Sequence, residues 1–184
     1  MAAVLLDLSI SLDGLIAGPD GDDAGLHDWY FAESDDTNRG LVDEIVQTTG
    51  ALVMGRRAYD LGASVGGFAD TPYQVPHFVL THTPPVEKPE TGVTFTYVTD
   101  GVEPLIDQAR AAAGDRYVTV GGGADIARQC LAAGLVDEVD LHVVPVLLGQ
   151  GLRLFTGLEA PVRLDQIRQV AGAGVSHLRY RVRR

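Results

Sequence analysis

A single α/β domain is what the sequence predicts: a mostly parallel mixed sheet with helices on both sides, finished by antiparallel strands at the C-terminal end. Three observations predict it. Short β-branched runs alternate with amphipathic helical stretches up to Gly134, the order that builds parallel βαβ units. After Gly134 the helical periodicity stops and strand-like runs follow, the last two joined by Ala171-Gly172-Ala173-Gly174 and therefore antiparallel. No internal repeat or long linker divides the 184 residues, enough for one sizeable core.

Residues 4–10 form a buried strand interrupted by Asp7, which runs into the turn-rich loop Ser11-Leu12-Asp13-Gly14-Leu15-Ile16-Ala17-Gly18-Pro19-Asp20-Gly21. Residues 22–34 are acidic and irregular but group Trp29, Tyr30 and Phe31. These rings either cover one end of the core or line a pocket for a flat ring. From Asp35 a helix is specified: Asp35 or Asp36 caps it, Leu41, Val42, Ile45 and Val46 form its apolar stripe, and Gly50 stops it. Residues 51–54 read as a strand ending at Gly55-Arg56-Arg57-Ala58-Tyr59-Asp60, a glycine before a short helical turn. Residues 61–76 are loop-like, and residues 77–81 form a third buried strand, stopped by Pro84 and Pro85. Residues 93–98 form a fourth. Pro104 opens a helix whose stripe is Leu105, Ile106, Ala109 and Ala113, with Gly114 at its end. Residues 117–120 are a strand that enters Gly121-Gly122-Gly123, and a helix with Ile126, Ala127, Cys130 and Leu131 on one face leaves it. Strands at 136–146, 162–170 and 175–182 complete the chain, with a turn at Leu148-Gly149-Gln150-Gly151. In the last strand Leu178, Tyr180 and Val182 are expected inside, and His177, Arg179, Arg181 and Arg183 on a solvated face.

Several function classes are excluded. A formal charge of −11 argues against nucleic acid or an anionic membrane as partner, since both demand extended positive surfaces. No apolar run reaches the roughly 18 residues of a membrane span, and the N-terminus lacks the features of a secretory signal, so a cytoplasmic location is expected. Cys130, the lone cysteine, forms no intramolecular disulfide and reads as a buried structural thiol. The five histidines show no metal-ligand spacing, so no metal is expected. The lone lysine, Lys88, lies outside any phosphate-binding P-loop pattern. Gly62-Ala63-Ser64-Val65-Gly66 matches the letters of a nucleophile elbow but lacks the strand before it and the helix after it.

Three strand ends carry complementary equipment. Gly121 to Asp125 offer backbone N–H groups at a helix N-terminus, where an anion is favoured and glycine allows close approach. A strand–helix turn made only for packing shows the same letters. Arg56 and Arg57 add fixed charge, readable also as local charge balance, and Thr81, His82 and Thr83 add hydrogen bonds. On the carboxyl edge of an open sheet the set fits a dinucleotide pyrophosphate with an extra phosphate, favouring NADP over NAD. A standard Rossmann domain is disfavoured, because Ile126 stands where its fingerprint needs a small residue and antiparallel strands follow.

These blocks resemble the dihydrofolate reductase-like superfamily, and more closely the branch that includes the reductase domain of bacterial riboflavin biosynthesis. The resemblance rests on Ser11 to Ala17, Val53-Met54-Gly55-Arg56-Arg57-Ala58-Tyr59, Phe78-Val79-Leu80-Thr81, Val118 to Gly123, Val136-Asp137-Glu138-Val139, Val144 to Gly151, and Leu154-Phe155. It spans nearly the whole chain. It implies a dihydrofolate reductase-like fold, NADPH along the strand ends, hydride transfer to a small heterocyclic substrate, and a homodimer. Ile16, Ala17 and Gly18 would border the nicotinamide; Gly55, Arg56, Arg57, Thr81 and His82 would take the adenosine phosphates; Gly122, Gly123, Ala124 and Asp125 would take the pyrophosphate. The segment 148–154 would close over the nicotinamide side. Folate reductases hold the pterin with an acid early in the first helix, where this chain offers Asp35 and Asp36. Asp36 is the candidate acid, a plain helix cap being the alternative, and Trp29, Tyr30 and Phe31 would contact the substrate. A non-catalytic NADP-binding sensor or dimeric scaffold of the same fold is the competing function.

Overall fold

The computed structural model describes residues 1–32, 35–87, 89 and 91–184; Lys88 falls outside them. The chain runs β1 (Val4–Ser11), β2 (Leu15–Ala17), α1 (Asp28–Phe31), α2 (Asp36–Thr48), β3 (Thr49–Gly55), α3 (Arg56–Ser64), β4 (His77–Leu80), β5 (Phe95–Val98) and α4 (Val102–Ala113). It continues with β6 (Tyr117–Gly122), α5 (Ala124–Ala132), β7 (Glu138–Val144), β8 (Leu152–Arg153), β9 (Leu164–Gly172) and β10 (Val175–Val182). Eight strands form one sheet in the order β5-β4-β3-β6-β1-β7-β10-β9, and β2 pairs separately with β8. The six strands from β5 to β7 are parallel, while β10 and β9 are antiparallel, as the sequence pattern predicts.

The period of two in β1 divides the molecule. Val4, Leu6, Leu8 and Ile10 enter the main core with Leu105, Ile106, Ala109 and Ala113 of α4 and Ile126, Ala127, Cys130 and Leu131 of α5. Burial pushes the Cys130 thiol up to about 12, so it behaves as an apolar filler. On the opposite face lie Asp7 and Ser9, with Trp29 of α1 and Asn38 of α2 above them. Leu52, Met54, Tyr59, Phe68, Val75 and Val79 form a second cluster around α3.

Two expectations are corrected here. The polar face of the last strand is solvated only toward its end: Arg181 and Arg183 are exposed as expected, but His177 is 1 % and Arg179 8 % exposed, while Leu178, Tyr180 and Val182 are only half-buried. The reason is that α2 covers this face and supplies partners, Asn38 to His177 and Glu44 to Arg179. Gly50 does not stop α2, which ends at Thr48; it lies inside β3, where a Cβ would collide with the backbone of Ala113 at the end of α4. Among the described residues no helix is long and apolar enough to cross a membrane.

Candidate active site

The carboxyl ends of β3, β4 and β6 open into a cleft of about 550 Å³. Gly55, Gly101 and Gly123, which all line it, are the N-cap residues of α3, α4 and α5, and none supplies a side-chain cap. Three helices thus present uncapped N-termini to one space, where N–H groups and dipoles favour an anion. The first turn of α3 contains no acid but two arginines, a placement that opposes its own dipole unless negative charge sits beside it. The donors therefore fit an anion such as a phosphate group.

The arginines are not equivalent. Arg56 Nε donates to Asp60 (2.8 Å), and Nη1 donates to the Thr83 carbonyl (2.5 Å) and Thr81 Oγ1 (3.4 Å), which pins it beside β4. Arg57 has no hydrogen-bond or ion-pair partner among the described residues, and its guanidinium lies against Gly21. Thr81, His82, Thr83 and Thr99 complete the β4–β5 end of the cleft. Gly123, Ala124 and Asp125 line it from α5, the Asp125 carboxylate being turned to Arg128 and Gln129.

Gly121 and Gly122 belong to β6 and do not line the cleft. Gly122 has a packing role: a Cβ there would stand 2.9 Å from that of Ala58, so glycine lets α3 close onto β6. The sequence also misses Thr99 and Gly101, because Asp100-Gly101 reads as an ordinary turn.

The loops that follow β1 and β7 are tied together by Asp13. Its carboxylate accepts bonds from Ser11 Oγ (2.6 Å), Leu148 N (3.1 Å) and Gly149 N (2.7 Å). The Ser11 hydroxyl first, and then the Gly149 amide, holds this carboxyl down at about 2. Ala17 pairs with Leu152, which lines the cleft, and Gly151 (φ 144°) passes so close to the Ala17 carbonyl that no side chain fits. Of these residues Leu152 lines the cleft, while Ile16, Ala17, Gly18 and residues 148–151 stand outside its lining and join it through the pairing of β2 with β8.

The expected substrate residues are not gathered in this way. Asp36 is directed to solvent and paired with Arg39, its side chain 94 % exposed, while Asp35 caps α2 through Thr37 N (2.8 Å). Asp36 is corrected to a surface residue of the first turn. Trp29, Tyr30 and Phe31 do not share one wall: Trp29 is buried, Tyr30 half-buried and Phe31 76 % exposed, since successive helical residues point some 100° apart.

Trp29 instead roofs a buried polar cluster. Its Nε1 donates to Ser9 Oγ (2.9 Å), and its ring stands 4.5 Å from His142 and 4.9 Å from His177, centroid to centroid. His142 Nε2 faces Asp7 Oδ1 (3.1 Å), His142 Nδ1 faces His177 Nδ1 (2.7 Å), and His177 Nε2 faces Asn38 Oδ1 (3.1 Å). Burial first, then His142 and Arg168, lowers the His177 imidazole to about 4. An unfolded histidine titrates near 6.5, so between these values the unfolded chain takes a proton that the native chain refuses. The His177 contribution is expected to be flat above that window and to be lost as pH drops through it, by about 3 kcal/mol. Urea midpoints across the window should show this loss in the native chain and a shallower one in His177→Gln.

A mostly parallel sheet finished by two antiparallel strands is also what comparison with known proteins finds. A putative riboflavin biosynthesis protein from Shewanella sp. PV-4 superposes with a TM-score of 0.76 at 26 % identity, covering 100 % of both chains. The diaminohydroxyphosphoribosylaminopyrimidine deaminase/5-amino-6-(5-phosphoribosylamino)uracil reductase of Thermotoga maritima gives 0.69 at 17 % identity, over 98 % of this chain and 56 % of that one. Dihydrofolate reductase from Enterococcus faecalis, complexed with NADP(H) and RAB-propyl, gives 0.63 at 15 % identity over 99 % and 97 %. The fold is dihydrofolate reductase-like. The sequence model of the RibD C-terminal domain matches residues 2–175, and the chain belongs to that family.

Proposed function

We propose that the chain is an NADPH-dependent reductase that transfers hydride to a small planar heterocycle of pterin or pyrimidine type. The observation that carries this reading is the convergence of three uncapped helix N-termini and two arginines on one cleft. Ile16, Ala17 and Gly18, with the segment 148–152, border the nicotinamide; Arg57, Gly123, Ala124 and Asp125 take the pyrophosphate; Arg56, Thr81 and His82 take the adenosine side. The cofactor, when bound, supplies the hydride. The protein's part is to fix the nicotinamide edge and hold water away. The heterocycle class is supported by the names of the Enterococcus and Thermotoga proteins. We take the chain to act in the cytoplasm as a homodimer, for which the edge strand β9 offers exposed Leu164 and Ile167.

The solvent position of Asp36 favours one other reading, an NADP-binding sensor or dimeric scaffold without catalysis. Fluorescence titration with NADPH and NADH, followed by NADPH oxidation over pterins, aminopyrimidines, flavins and quinones, separates the two. Tighter NADPH binding and turnover of one heterocycle are expected. Equal affinities would overturn the NADPH assignment, and tight binding without oxidation of any compound would favour the sensor.

A further inference from the structure

The hydrogen bonds beneath α2 can be given donors and acceptors from one end to the other. Asn38 Nδ2 donates to the Ala173 carbonyl (3.1 Å), which turns the amide oxygen toward His177. That oxygen only accepts, so His177 Nε2, 3.1 Å away, carries a hydrogen. His177 is neutral, because burial and the neighbouring His142 and Arg168 disfavour its cation. Its Nδ1 is therefore a bare acceptor, and His142 Nδ1, at 2.7 Å, donates to it. At the far end His142 Nε2 stands 3.1 Å from Asp7 Oδ1. An ionised aspartate facing a bare ring nitrogen would place two acceptors in contact. The bond needs a proton that an ordinary aspartate and a neutral histidine do not hold between them.

The surroundings suit an extra proton. The Trp29 ring at 4.5 Å favours a cation at His142, and Asp7 Oδ2 is buried without a hydrogen-bond partner among the described residues. Tyr30 of α1 and Tyr73, before β4, act electrostatically on each other and on Asp7. Asp43 of α2 acts on Tyr30, while Asp35 and Arg168 act on His177. The cluster lies on β1, β7 and β10, on the face of β1 opposite the main core, and the Asp7 side chain there is 14 % exposed.

We propose that Asp7 and His142 hold one shared proton at neutral pH and that Asp7 passes it to the substrate. The step rests on the reductase reading. As hydride reaches the carbon of a C=N bond, its π pair becomes a lone pair on nitrogen, and that nitrogen takes the proton through Asp7. Asp7 is left ionised and His142 neutral, and solvent restores the proton. Two electrons and one proton are thus accounted for.

Ring-nitrogen and carboxyl-carbon NMR of the labelled full chain near neutral pH reads the proton directly. The expected result is a protonated or proton-sharing His142 Nε2 in the native chain, and a neutral His142 with hydrogen only on Nδ1 in Asp7→Asn. A neutral His142 beside an ionised Asp7 in the native chain overturns the proposal. With a dihydropterin as probe and saturating NADPH, Asp7→Asn and His142→Gln are expected to lose roughly a hundredfold or more in kcat. Their residual rate should rise as pH falls, with NADPH affinity kept within about twofold, a measure of intact folding. A native kcat and pH profile in Asp7→Asn overturns the donor role, as does a native chain that binds NADPH and leaves the probe unreduced. Failure to bind NADPH defeats the reductase reading, while the ring spectra still decide the proton count.

Discussion

Arg56→Ala is expected to erase a preference for NADPH over NADH, whereas Arg57→Ala weakens both dinucleotides alike. The sheet order is the reason. In the proposed arrangement, a dinucleotide with its nicotinamide at Ala17 and Leu152 would run outward past β6 and β3 to the end of β4, the order in which those strands stand. Arg57, against Gly21, stands near the middle of that path, and Arg56, held by Thr81 and Thr83, at its outer end. A charged hydrogen bond contributes about 1.5–3 kcal/mol, so each substitution is expected to cost roughly ten- to a hundredfold in affinity. For Arg56→Ala the loss should appear with NADPH alone. Dissociation constants by fluorescence decide it: a preference that survives Arg56→Ala, or that disappears with Arg57→Ala, sinks this arrangement. The double substitution is expected to lose both the preference and most of the affinity.

Asp140→Ala is expected to destabilise the chain by about 3–5 kcal/mol, the cost of leaving a buried charge without its partner. Asp140 is 1 % exposed and accepts a hydrogen bond from Arg179 Nε (2.7 Å), with Nη2 at ion-pair distance (2.7 Å). Glu44, 3.6 Å from Arg179 Nη1 and itself bound to Arg168 at 2.7 Å, is too engaged and too exposed to replace it. Urea denaturation measures the loss. Replacing both members, Asp140→Leu with Arg179→Met, is expected to recover most of it, because two apolar groups leave no orphaned charge. A double variant as unstable as the single one would show that shape, not charge, governs this position.

Much of this was legible from residue pattern because each local signal had one strong physical cause. Leu105, Ile106, Ala109 and Ala113 recur at the helical period and are all buried in α4; Ile126, Ala127, Cys130 and Leu131 do the same in α5. Asp35 caps α2, one of the two residues the pattern allowed. Patterning failed where tertiary partners reversed polarity. Arg179 and His177 look like a wet face until Asp140, Glu44 and Asn38 are seen above and beside them, and those lie 39, 135 and 139 residues away. The cleft was legible at Arg56, Arg57 and Gly123 to Asp125, where arginines or a glycine-to-helix junction mark the chain. Its α4 wall was not, because Gly101 joins the others only through the strand order. Asp7 read as a blemish in an apolar strand, and only the register of β1 with β7 brings it to His142.

That position of β1 has a further consequence for how the molecule comes into being. The first strand sits between β6 and β7, so one of its edges waits for residues 117–122 and the other for residues 138–144. Asp13 meets Leu148 and Gly149 across 135 and 136 residues. Closing loops of that length precedes any reward from the contacts they make, which slows folding and leaves an apolar strand exposed meanwhile. A nascent chain ending before β7 is expected to be bound by chaperones. The Asp13 link between the two loops and the Asp7–His142 pair then arise together, late in folding, when the last third of the chain docks on the strand that was made first.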